Sequence, residues 1–128
     1  REYAADWARR NGIAVNAHIK DTGAMPLRVA HALFRIAQEA LNNASKHSNA
    51  SQINVRLAAK NDTVMLEICD DGCGFDASPA ETGSSKGLGL DSMRERVEVT
   101  GGHFEIRSES GRGTTITASW PESTLTLL

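Results

Sequence analysis

Apolar residues along the chain follow two rhythms, and each marks a class of element. Between Pro26 and His47, Leu27, Phe34 and Leu41 recur every seven residues, with Ala30, Ala37 and Ala44 beside them. That spacing predicts one long amphipathic helix, with Pro26 in its first turn. Tyr3, Ala4, Trp7 and Ala8 share helical spacing in a segment stopped by Gly12, and Leu90, Met93 and Val97 mark a third helix stopped by Gly101-Gly102. Elsewhere the period is two. Ile13, Val15, Ala17 and Ile19 alternate with polar residues. So do Ile53, Val55 and Leu57, and Val64, Leu66 and Ile68 after a Lys60-Asn61-Asp62 turn. Phe104 and Ile106, then Ile116, Ala118 and Trp120, make a second hairpin around Ser110 to Gly113.

The order is α-β-α-β-β-α-β-β. It predicts an α+β two-layer sandwich, with a mixed five-stranded sheet and three helices on one face. Asn16, His18, Asn54, Arg56, Thr115 and Thr117 fall on the opposite strand face, which should be solvated. Gly72 to Gly89 is rich in Gly, Ser and Pro without periodicity, and reads as a long functional loop. Residues 122 to 128 read as a tail, which leaves one domain over 1 to 121.

Size and charge narrow the function. A chain of 128 residues can bury about two-thirds of its unfolded surface, so its core needs no staples. The net charge is −2, with no long run of one sign, which argues against a nucleic-acid or membrane surface. No apolar stretch is long enough to span a bilayer. The expectation is a monomeric cytoplasmic domain without direct membrane contact, cut from a longer protein that can itself be membrane-anchored. Cys69 and Cys73 should be reduced thiols. Their spacing does not suit a zinc or redox pair, and His18, His31 and His103 show no metal spacing.

Three segments carry chemistry. On the long helix, Glu39, Asn43 and Lys46 lie at i, i+4 and i+7, on one side of the cylinder. A carboxylate, an amide and an ammonium there can hold a metal and a polyphosphate, or form a solvated face with an incidental charge pair. Asp70-Asp71-Gly72-Cys73-Gly74 follows a strand, where glycines let the backbone approach a flat ligand and a carboxylate can accept from an exocyclic amine. A plain Asp-Gly turn is the alternative. Lys86-Gly87-Leu88-Gly89-Leu90 opens a helix, where free N–H groups offer an anion site unless the segment is only a flexible loop. Gly111 to Thr115 is a turn entering a strand. Arg94 and Arg96 read as solvent-facing, with Arg94 about one turn from the anion site.

Taken in order, Glu39-x-x-x-Asn43-Ala44-x-Lys46-His47, Asp70-x-Gly72-x-Gly74, Gly87-x-Gly89-Leu90 and Gly113-Thr114 resemble the N, G1, G2 and G3 boxes of the GHKL (Bergerat-fold) ATPases. The likeness is greatest to the catalytic ATP-binding domain of sensor histidine kinases. Glu-Ala-Leu-Asn-Asn-Ala-x-Lys-His and Gly-Leu-x-x-Met-Arg-Glu-Arg-Val are similar to the subfamily that pairs with NarL-type response regulators. The resemblance covers roughly residues 1 to 121. It implies that Asn43 ligates Mg²⁺ bridging the ATP phosphates, with Glu39 beside it. Lys46 would contact phosphate and His47 would pack near adenine or ribose. Asp70 would accept the adenine N6 amine, in a pocket shaped by Gly72 and Gly74 and supported by Thr114. Phe75 to Lys86 would be the lid, and the segment from Lys86 through Gly87, Leu88 and Gly89 to Leu90 would meet the phosphates. Guanine would oppose Asp70 with a carbonyl, so ATP should beat GTP by at least about tenfold. Two departures stand out: Ser85 replaces a third glycine, and Phe75 is the one Phe in a short lid.

The four histidines precede Ile19, Ala32, Ser48 and Phe104, whereas the family's phosphoacceptor histidine is followed by an acid. The resemblance therefore implies Mg·ATP binding here and γ-phosphoryl donation to a histidine on an upstream dimerisation domain of the same polypeptide. Three other readings share features of the chain: an anti-sigma-factor serine kinase, an ATPase of the gyrase, MutL or Hsp90 kind, and a binding module without turnover.

Overall fold

The pattern of buried positions sorts eight elements into a sheet and three helices that cover one of its faces. They are seen in a computed structural model that describes residues 2–20, 25–46, 49–60, 62–74, 90–109 and 111–121. In chain order the elements are α1 (Glu2–Asn11), β1 (Ala14–Ile19), α2 (Leu27–Lys46), β2 (Gln52–Lys60), β3 (Thr63–Asp70), α3 (Leu90–Val99), β4 (His103–Ser108) and β5 (Thr114–Pro121). The sheet order is β1-β2-β3-β5-β4. Only the β1–β2 pair is parallel, joined through α2, and the other pairs are antiparallel. The predicted mixed sheet and its element order are therefore observed.

Register explains the core. Val55, Ile68, Ile116 and Ile106 form one cross-strand row. Leu57, Leu66, Ala118 and Phe104 form the next. Such rows stack β-branched and aromatic side chains on one face, while Asn54 and Arg56 point to solvent on the other. Val29, Ile36, Met93 and Val97 come down from α2 and α3 and are fully buried. Trp120 is sealed into this layer, and its indole N–H donates to Thr100 Oγ1 at 2.8 Å. Thr100 in turn donates to the carbonyl of Val97 at 2.8 Å, which closes the end of α3.

The seven-residue repeat on α2 does not define its buried face. Leu27 is 85% exposed and Phe34 45%, and of that trio Leu41 alone is buried. Val29, Leu33, Ile36, Ala40 and Ala44 face the sheet instead. At 3.6 residues per turn the Leu27–Phe34 line runs along a flank of that stripe. Phe34 meets the Tyr3 ring edge-on at 5.1 Å, and Trp7 Nε1 donates to Asn42 Oδ1 at 3.2 Å. That flank thus seats α1.

Arg94 is not spare. Its guanidinium lies 5.1 Å over the Phe104 ring and donates to the Phe104 carbonyl at 3.3 Å, which ties α3 to β4.

Candidate active site

The core-facing stripe of α2 has a second flank, and Glu39, Asn43 and Lys46 occupy it. Glu39 and Asn43 are half-buried, and Lys46 is exposed at the last helical position. A cation there is favoured by the negative end of the helix dipole. The helix is then stopped. Asn49 adopts φ +52°, a left-handed conformation that asparagine tolerates, and the Ala50 N–H donates to the Ala44 carbonyl at 3.1 Å.

Asp70 ends β3 on the core-facing side of the sheet. Its row runs Ile53, Asp70, Thr114, Ser108, directly beyond the row containing Ile68 and Ile116. A carboxylate is thus placed where the next hydrophobic residue would stand. Burial raises its pKa above the usual 3.8, opposed by N–H donation from Gly72 and Thr114 and reinforced by the nearby Asp71 charge. The Gly72 bond measures 2.8 Å. Thr114 is buried, and its hydroxyl lies 2.8 Å from Ser108 Oγ, which also donates to the Gly113 carbonyl at 3.2 Å.

Two glycines are required by their surroundings. At Gly113, with φ +83°, a Cβ would be driven into the Asp70 carbonyl. At Gly74, with φ +67°, it would strike the carbonyls of Glu109 and Gly113. The Gly111 N–H donates to the Cys73 carbonyl. The exit of β3 and the β4–β5 turn therefore form one hydrogen-bonded unit around Asp70. Cys69 and Cys73 form no disulfide.

Asp71 has a different task. Its carboxylate accepts from Ser51 N at 2.8 Å, Ser51 Oγ at 2.7 Å and Gln52 N at 3.0 Å. These donors, the Ser51 hydroxyl foremost, hold its pKa below the usual carboxylate value.

Of the residues anticipated from sequence, Asp70, Gly72, Gly74 and Thr114 are brought together, and Glu39, Asn43 and Lys46 share a flank of α2. Leu90 is buried in the core, which leaves its backbone as the part that can meet a ligand. His47, Lys86, Gly87, Leu88 and Gly89, with the lid from Phe75 to Lys86, lie outside the described residues. Sequence reasoning missed Ser51, Asp71 and Ser108. A short polar residue beside an Asp-Gly segment is too common to single out, because the partners are brought together only by strand register. A cavity of about 450 Å³ between α2 and α3, reached by Arg28, His31, Glu95 and Arg96, includes none of the candidate site residues.

A half-buried carboxylate thus stands at a strand end beside a glycine-built floor, on a sheet covered by helices on one side. Residues 28–124 match the family described as histidine kinase-, DNA gyrase B-, and HSP90-like ATPase, and the chain belongs to it. Its ligand class is accordingly ATP. Within that family its likeness is to the ATP-binding catalytic domains of histidine kinases. It is 45% identical over 92 residues to the signal transduction histidine-protein kinase/phosphatase DegS of Bacillus subtilis, covering 72% of this chain and 24% of that protein. It is 38% identical over 120 residues to the sensor histidine kinase LiaS of the same organism, covering 94% of this chain and 32% of that protein. The chain thus spans about a quarter to a third of these curated relatives. Among solved structures, the histidine kinase domain of the Erythrobacter litoralis EL346 blue-light activated histidine kinase superposes with a TM-score of 0.79 at 22% identity, over 95% of this chain and 58% of that one. The mycobacterial sensor histidine kinase MprB gives 0.72 at 22% identity, over 94% of this chain and 90% of that one. At these identities the structural likeness establishes the fold. Among the described residues no helix is long and apolar enough to cross a membrane.

Proposed function

We propose that residues 1 to 121 bind Mg·ATP and donate its γ-phosphoryl group to a histidine on a dimerisation domain of the same polypeptide, with 122 to 128 as a tail. A NarL-type response regulator would then receive the group. The observation that carries this reading is Asp70: a carboxylate set into the core-facing row of the sheet, held by two backbone donors, with glycines obligatory around it. A group so costly to bury is well suited to reading an amine on a flat base. Asp70 accepts the adenine N6 amine, Gly72 and Gly74 let the base approach, and Thr114 holds the floor. Lys46 and the segment from Lys86 to Leu90 take the phosphates, and His47 packs near adenine or ribose.

Among the described residues no group of three or more His, Cys, Asp or Glu could hold a metal. Mg²⁺ is a hard cation usually held by one or two protein oxygens together with phosphates. Asn43 and Glu39 supply an amide oxygen and a carboxylate one helical turn apart, and are the residues that would hold it. Bound there, the ion would neutralise phosphate charge. In the transfer, the bond from the γ-phosphorus to its bridging oxygen breaks, a P–N bond forms on the acceptor imidazole and ADP leaves. The domain's task is alignment and charge stabilisation.

Incubating the chain with γ-labelled ATP should leave no label on it, whereas adding the dimerisation domain should give acid-labile label on that domain. Asn43→Ala should abolish the transfer. Acid-labile label on this chain itself, or steady ATP turnover that Glu39→Gln removes, would overturn the reading.

A further inference from the structure

The two walls of the proposed site leave the sheet and helix layers by separate segments, and Asp71 joins them. One wall is the flank of α2 bearing Asn43 and Lys46, and the other is Asp70 with its glycine floor. The connection is continuous. Ala44, next to Asn43, accepts from the Ala50 N–H at 3.1 Å. Ser51 and Gln52 follow, and both donate to the Asp71 carboxylate. The Asp71 N–H returns a bond to the Gln52 carbonyl at 3.2 Å. Asp71 is covalently next to Asp70. The β2–β3 ladder ends at the Ile53–Asp70 pair, so beyond it the bonds of Asp71 are those that hold the exit of β3 to the α2–β2 segment.

We infer that Asp71 is a positioning residue that fixes the separation between the base-reading wall and the phosphate wall. This rests on the nucleotide reading above. A ligand that touches both walls needs them at one spacing, and a ligand that touches one does not. Asp71 itself need not meet the nucleotide: its three donors all come from the α2–β2 segment.

The test is calorimetry of the chain with two probes, Mg·ATP, which spans both walls, and adenosine, which meets only the base wall. Asp71→Ala should weaken Mg·ATP about five- to tenfold and leave adenosine within about twofold. Asp71→Asn, which keeps a carbonyl acceptor, should recover part of the loss. Ser51→Ala removes only the hydroxyl bond and should weaken Mg·ATP alone by about two- to threefold, so it decides the matter should Asp71→Ala not fold. Equal losses for both probes, or unchanged Mg·ATP affinity in a folded variant, overturn the inference. A wild-type chain that binds neither probe overturns the nucleotide reading, and this inference with it. Wild-type binding of both, followed by equal losses in the variants, overturns the inference alone.

Discussion

Asp70 and Asp71 are adjacent and chemically identical, yet their carboxylates meet opposite environments. Burial makes the Asp70 charge harder to hold, so its proton binds at a higher pH than the usual 3.8. Adenosine has no phosphate to titrate, so as pH is lowered its affinity should start to fall while still above pH 3.8, where Asp70 takes up its proton and becomes a weaker, uncharged acceptor. An affinity that stays flat down to that pH would remove Asp70 from base recognition. For Asp71 the sign reverses. Its folded-state pKa lies below 3.8, so the stability it contributes is present above that pH and is lost as pH falls through the depressed value. Asp71→Asn should therefore lower the thermal midpoint at pH 7, by a difference that narrows below pH 3.8. A difference unchanged in acid would refute the assignment. Two glycines of one turn offer a matched comparison. Gly111 and Gly113 have φ +82° and +83°, but a Cβ at Gly111 meets nothing within 4 Å. Gly111→Ala should cost about 1 kcal/mol, the left-handed penalty alone. Gly113→Ala should cost at least about twice that, with the Asp70 backbone displaced. Urea midpoints of the two variants would show it, and equal losses would mean the clash is relieved elsewhere.

Element by element, α2 shows where periodicity informs and where it misleads. That a long helix follows Pro26, and that Glu39, Asn43 and Lys46 share one side of it, follows from spacing alone. Which side meets the sheet does not. The helix has apolar residues on two faces, and the Leu27–Phe34 line is as regular as the buried one. Only the presence of α1 against Phe34 and of the sheet against Ile36 separates them. Denaturation should rank them accordingly. Ile36→Ala, at a fully buried position, should cost about 2–5 kcal/mol. Leu27→Gln should fall within about 0.5 kcal/mol of wild type. Comparable losses at the two positions would mean that Leu27 is covered in solution. Arg94 on α3 is exposed, as expected, and its contact with Phe104 is an addition that register supplies. A charged residue in a short helix reads as solvent-facing, and its engagement with Phe104 depends on β4 lying alongside.

For the molecule as a whole, alternation and helical spacing fixed the list of elements, because both depend on one buried face per element. The strand order was not readable, since nothing local says that β5 inserts between β3 and β4. That insertion gives Asp70 its Thr114 partner and brings Gly113 against it. The base-reading wall is therefore a product of topology, although each of its residues stood out as a motif. Ser51 and Ser108 did not stand out, because their partners are distant in sequence and common in kind.

One consequence concerns β1. The segment that matches the ATPase family model begins at residue 28, past both α1 and β1. Yet β1 pairs with β2 along six residues and covers an edge that would otherwise present a row of unpaired N–H and C=O groups. Removing α1 would also remove Trp7, 2% exposed, and uncover the surface it packs against. A chain trimmed to the matched segment would keep every residue assigned to ATP and still carry an open, adhesive strand. Size-exclusion chromatography of residues 25–121 should show it self-associating, whereas a stable monomer would mean that β2 tolerates its bare edge. Where a domain's chemistry begins is thus not where its solubility begins.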